Sequence, residues 1–204
     1  MRIEDALSQV RTIQVQVART ESFCCYQSAT VAMSGLLALA AALAQSYWMS
    51  EPTQQLHRYL LLWVLVAVVS VALIGAEMLV RWCRTEPGHA RRQTIRALRQ
   101  FTPCLLAGAL VTWAILLSSP ESAVLLPALW SVIFSLGIFA SLNHLPAGSV
   151  ALAVYYLVAG LACIRWGQGD QALEPWTMAL TFGVGQLLTA FVLYRQQEKH
   201  DATT

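Results

Sequence analysis

The chain has 204 residues, of which 57% are hydrophobic and only 12% charged, with a net charge of +2. A soluble domain carries about 25% charged residues to cover its surface, so this balance, with a mean hydropathy of +0.55, excludes an ordinary soluble fold and points to the membrane. No basic run interleaved with aromatics occurs, which argues against nucleic-acid binding.

Residues 1–25 contain Glu4, Asp5 and Glu21 and no continuous apolar core, so a cleaved leader is not expected. Ile3, Leu7, Val10, Ile13 and Val17 are spaced to share one helix face. The segment is expected to lie as an amphipathic helix on the inner leaflet, with a short self-associating coil as the alternative. It is also a candidate partner-binding element.

A span needs roughly 20 apolar residues to cross about 30 Å of hydrocarbon. Six segments meet or approach that length: 26–48, 59–82, 102–119, 123–142, 147–166 and 175–194, followed by a tail at 195–204. They are expected to be helices, because lipid offers no partner for backbone N–H and C=O groups and a helix pairs them internally. The fold expected is all-α: a polytopic bundle of six transmembrane helices in three hairpins, plus the opening amphipathic helix. Pro103, Pro127, Pro146 and Pro175 fall near span starts, where a missing N–H costs little. Tyr26, Tyr47, Trp48, Tyr59, Trp82, Trp166, Trp176 and Tyr194 fall at span ends and suit the headgroup layer. Ser118, Ser119, Pro120 and Glu121 break the chain between spans three and four and imply a tight hairpin.

Orientation follows from the basic residues. Arg2, Arg11, Arg19, Arg81, Arg84, Arg91, Arg92, Arg96, Arg99, Arg195 and Lys199 fall on one side, and only Arg58 and Arg165 on the other. Both ends are therefore expected in the cytoplasm. The 83–101 loop, with Arg84, Arg91, Arg92, Arg96 and Arg99, can form a short amphipathic helix with Ile95, Leu98 and Phe101 on one side. It reads as an orientation determinant lying on anionic lipid, or as a docking surface for an acidic cytoplasmic protein.

Spans four and six share a pattern. Trp130-Ser131, Ser135, Gly137 and Ile138 recur at the same spacing as Trp176-Thr177, Thr181, Gly183 and Val184. Span two is a looser copy, with Trp63, Ser70 and Gly75. Gly35, Gly108, Gly137, Gly160 and Gly183 are expected to pack helices, since close backbone approach gives van der Waals contact that leucine burial in lipid does not. Ser34, Ala38 and Ala42 extend this as a small-residue stripe on span one.

Little in the chain could carry chemistry. Glu77 is the acid placed inside a span; Arg81 four residues on offers an ion pair, and a proton-relay role is the sharper reading. Gln186, Tyr155 and Ser135 are the nearest thing to a polar pocket lining. The histidines lie in loops or the tail, the five cysteines have no ligand spacing, and no nucleophile, phosphate or dinucleotide motif occurs. No catalytic residue, metal or cofactor is expected.

The runs SGLLALAAALAQ in span one, GAEM in span two, PALWSVIFSLGIFAS in span four and FGVGQLL in span six resemble a diffuse family of small six-span bacterial inner-membrane proteins. The Gly-plus-aromatic hairpin pattern also resembles, more weakly, the three-hairpin acid-resistance membrane proteins of enteric bacteria. Glu77 and the Arg-rich loop depart from that second pattern. The resemblance implies a bacterial inner-membrane protein and carries over no catalytic residue. The expected role is a non-enzymatic scaffold or interaction protein; a small transporter or channel subunit, working as a homo-oligomer around Glu77 and Gln186, is the alternative. For the topology, a phosphatase that works only outside the cytoplasm should be inactive when fused after Thr204. Activity there would reverse the orientation.

Overall fold

The computed structural model describes residues 28–49, 51–84, 89–142, 145, 148–167 and 169–201, and their side chains apart from those of 81–98, 100, 170 and 196–201. The opening amphipathic segment lies outside the described residues. Six helices are long and apolar enough to cross a membrane: Ser28–Trp48, Leu56–Val80, Phe101–Ser118, Pro120–Ser141, Ser149–Trp166 and Pro175–Arg195. The chain is an all-α, multi-pass membrane protein, with no strand among the described residues.

The helices are α1 (Ser28–Trp48), α2 (Leu56–Arg84), α3 (His89–Ser118), α4 (Leu126–Ser141), α5 (Ser149–Trp166) and α6, which starts at Pro175 and ends at Asp201. A 3-10 turn over Pro120–Leu125 leads into α4, and another over Gly169–Leu173 precedes α6. The break between spans three and four is real: Ser119 leaves helical geometry (φ −155, ψ 73) and Pro120 opens the next turn. One end of the bundle, called upper here, carries residues 49, 51–55, 119–125, 167 and 169–174. The lower end carries the starts of α1 and α3, the ends of α2 and α6, and residue 145.

Two expectations are corrected. Pro103 does not start a helix. Nothing in HARRQTIRALRQF stops helix propagation, so α3 begins at His89 and Pro103 sits inside it. The Arg-rich segment is thus the lower extension of α3, not a separate short helix. Proline frees the carbonyl four residues back, here that of Arg99, whose residue is exposed. Tyr59 is the second correction. It is not a headgroup residue but fully enclosed, whereas Tyr47, Trp48, Trp166, Trp176 and Tyr194 are exposed.

Contacts run along all three hairpins. Trp63 of α2 bonds Gln45 of α1, Trp130 of α4 bonds Thr112 of α3, and Tyr155 of α5 bonds the Leu180 carbonyl of α6. The extensive packing of α4 on α5 ties the second hairpin to the third. Four of the expected glycines are packed tightly against a neighbouring helix, two of them against backbone carbonyls. A Cβ on Gly160 would lie 2.9 Å from the Ala128 carbonyl oxygen and 2.8 Å from Val132 Cγ2. On Gly137 it would lie 2.7 Å from Cys104 Sγ, on Gly183 2.6 Å from Leu39 Cδ2, and on Gly35 3.1 Å from the Gly183 carbonyl oxygen. Gly108 differs, because a Cβ there meets only Trp130 Cδ1 at 4.0 Å, an ordinary contact. Gly75 has nothing within 4 Å.

These distances sort the glycines experimentally. The Ala128 carbonyl is backbone and cannot swing aside, so Gly160→Ala should destabilise the bundle by about 1–3 kcal/mol. Gly75→Ala should not. Detergent-solubilised unfolding of the two variants against the parent checks the difference; equal stability would remove Gly160 as a close-packing site.

Candidate functional site

The four residues expected to line a polar interior do not converge. Ser135 Oγ donates to the Ala153 carbonyl of α5 at 2.7 Å. The Tyr155 hydroxyl donates to the Leu180 carbonyl of α6. Gln186 is half-buried, and its Cβ lies where α6 crosses Gly35 of α1. Glu77 is near the lower end, where Thr30 of α1 donates its hydroxyl to the Glu77 carboxylate. That bond joins the two arms of the first hairpin. The side chain of Arg81, the partner expected from the sequence, lies outside the described residues. The four groups thus occupy separate helix contacts, three of them engaged with a neighbouring helix through hydrogen bonds.

The most enclosed polar cluster is one the sequence did not announce. Gln45 on α1 has no exposed surface. Its Oε1 accepts the Trp63 indole N–H at 2.9 Å, and its Nε2 donates to the Leu173 carbonyl at 2.7 Å. The second bond has a local cause. Pro175 opens α6, Glu174 before it is extended (φ −61, ψ 146), and the Thr177 N–H bonds the Glu174 carbonyl. The Leu173 carbonyl therefore falls just outside the helix ladder, and Gln45 supplies a donor for it. Around this pair pack Ala38, Ala41, Ala42, Tyr59, Leu60, Ala123, Leu126 and Met178, so α1, α2, α4 and α6 meet at the upper end. Tyr59 stacks obliquely on Trp63, ring centroids 6.4 Å apart.

A second cluster lies lower and is aromatic. Phe134 of α4 is 5.2 Å from Phe101, 4.8 Å from Tyr156 and 5.8 Å from Phe182, measured between ring centroids. The Tyr156 ring also covers Gly185, where an added Cβ would lie 2.6 Å from its hydroxyl. The hydroxyls of Tyr59 and Tyr156 are buried. Each faces a threonine hydroxyl of α6, Thr177 and Thr189, within interaction range. Those threonines donate to their own helix, at Glu174 and Gly185.

Helix α6 is not uniform. It is α-helical over Pro175–Met178, π-helical over Ala179–Val184 and α-helical again over Gly185–Asp201. This separates the two copies of the repeated pattern. Ser131 and Ser135 bond across to the Tyr156 and Ala153 carbonyls of α5, both at 2.7 Å. Thr177 and Thr181 instead bond back to Glu174 and Thr177 of their own helix, also at 2.7 Å. The same spacing thus serves inter-helix contact in one span and local backbone satisfaction in the other.

Of the arginines in the expected cytoplasmic surface, Arg99 is described and exposed; the side chains of Arg84, Arg91, Arg92 and Arg96 lie outside the described residues. No group of three His, Cys, Asp or Glu among the described residues could hold a metal ion. Cys104 and Cys163 are free thiols, and Cys104 Sγ donates to the Ile133 carbonyl at 3.0 Å, a packing role. No protein-family model, curated protein or solved structure matches the chain.

The Gln45 cluster yields a direct test. Gln45→Leu keeps the volume but strands the Trp63 indole N–H and the Leu173 carbonyl in a dry environment. The expected loss is about 1–3 kcal/mol of bundle stability, with the Trp63 environment reporting the change by fluorescence. An unchanged unfolding midpoint would show that the clamp contributes nothing.

Proposed function

We propose that this chain is a non-enzymatic scaffold or interaction protein of a bacterial inner membrane, with both ends and the Arg-rich start of α3 facing the cytoplasm. The observation that carries this reading is how the span interior is filled. Close helix contacts occupy Gly35, Gly137, Gly160 and Gly183, and Ser131, Ser135, Tyr155 and Glu77 each bond a neighbouring helix. A transporter needs a polar cavity near the midplane, and an intramembrane enzyme needs polar side chains that meet in one pocket. Dispersed, individually bonded polar groups support neither.

The arginines give the interaction surface its chemistry. Arg92, Arg96 and Arg99 recur at four- and three-residue spacing on α3 and so share one helix face. Such a stripe suits an acidic protein or the anionic lipid surface.

Reconstitution in liposomes separates this reading from the transporter. The purified chain should add no ion or proton leak to protein-free vesicles, and Glu77→Gln should leave that baseline alone. A flux that Glu77→Gln abolishes in a stably folded protein would overturn the scaffold reading.

A further inference from the structure

Helix α3 turns one face to the bundle and the opposite face away from it. Phe101, Cys104 and Thr112 meet Phe134, the Ile133 carbonyl and Trp130 of α4. The far side of the helix carries positions Arg92, Arg96, Arg99, Pro103, Leu106 and Leu110, spaced alternately four and three residues apart. Of these, Arg99, Pro103, Leu106 and Leu110 are described and all exposed. Because α3 runs unbroken from His89, the arginine positions and the outward leucines form one stripe. The sequence of His89–Ser118 contains no Asp or Glu, so the helix itself offers its arginines no counter-ion.

We propose that this face binds one anionic phospholipid of the lower leaflet, with Arg96 and Arg99 on its phosphate and Pro103, Leu106 and Leu110 along an acyl chain. The site rests on the orientation proposed above, which makes this the cytoplasmic leaflet, and not on the scaffold role. Depth fits the two halves of such a lipid. The span begins at Phe101, so Arg99 stands at the edge of the hydrocarbon. From Arg99 to Leu110 the helix rises by about 16 Å, close to half of a hydrocarbon core of about 30 Å. A chain from one leaflet therefore ends near Leu110. Arg96 and Arg99 are helix-surface neighbours, with Cβ atoms about 5–6 Å apart, and guanidinium groups bond phosphate oxygens in pairs.

Charge selects the kind of lipid. A zwitterionic headgroup brings its own cation to the phosphate, whereas an anionic one leaves its charge to the arginines. Depth also favours lipid over an acidic protein. A protein partner approaches from water, and the headgroup layer stands between water and Arg99.

Native mass spectrometry of the delipidated full chain in detergent tests this, with phosphatidylglycerol and phosphatidylcholine of matched chains as probes. An arginine beside anionic lipid contributes about fivefold in affinity. The parent should therefore prefer one phosphatidylglycerol, and Arg96→Gln with Arg99→Gln should weaken its binding by about 25-fold while phosphatidylcholine binding stays unchanged. Arg91→Gln with Arg195→Gln removes the same charge from the same end but off this face, and should leave the preference in place. Excess inorganic phosphate should not displace the lipid, since it has no chain for Leu106 and Leu110. Equal binding of the two lipids by the parent overturns the site, and that comparison needs no substitution. So do equal losses in the two double variants, or displacement by inorganic phosphate. A glutamate-rich peptide that binds the chain and displaces the lipid also overturns it; that result would give the face to an acidic protein and leave the scaffold reading standing.

Discussion

In a bilayer, a leucine turned toward lipid and a leucine turned toward a neighbouring helix sit in nearly the same solvent. Apolar burial therefore does little to hold these six helices together, and backbone approach with a few polar bonds must do it. That constraint explains where the small residues fall. Gly160 lets α5 ride on the Ala128 carbonyl, Gly137 admits Cys104 of α3, and Gly183 admits Leu39 of α1. It also explains why Ser131 and Ser135 of α4 bond α5 carbonyls, since a hydroxyl in hydrocarbon has few other partners.

The span pattern was legible because it depends on composition over some twenty residues, which no single contact can overturn. The closely packed glycines were legible for a similar reason: few residues besides glycine, alanine and serine permit such approach. Gly108 and Gly75 mark the limit of that logic. They have the same composition around them but no close neighbour, and only the placement of other helices decides this.

The polar contacts were far less legible. Gln45 ends an apolar run, where it looks like a residue emerging into the headgroups, and Tyr59 looks like its counterpart on the next span. Their enclosure comes from Leu173 and Met178, more than a hundred residues later, which close over them. Glu77 was visible as an anomaly, yet its partner across the hairpin, Thr30, is an ordinary residue with no local signature. The π run was invisible for another reason. Its sequence, ALTFGV, parallels the IFSLGI stretch of α4, and local propensity does not separate the two geometries.

The bond from Gln45 to Leu173 joins positions 128 residues apart in the chain. During synthesis the first hairpin emerges long before the carbonyl that its glutamine will bind. Until the third hairpin arrives, α1 must hold an amide with half its partners missing, inside or beside the lipid. Assembly of this protein is thus a closing event: the last hairpin does not simply join the bundle but completes the first one.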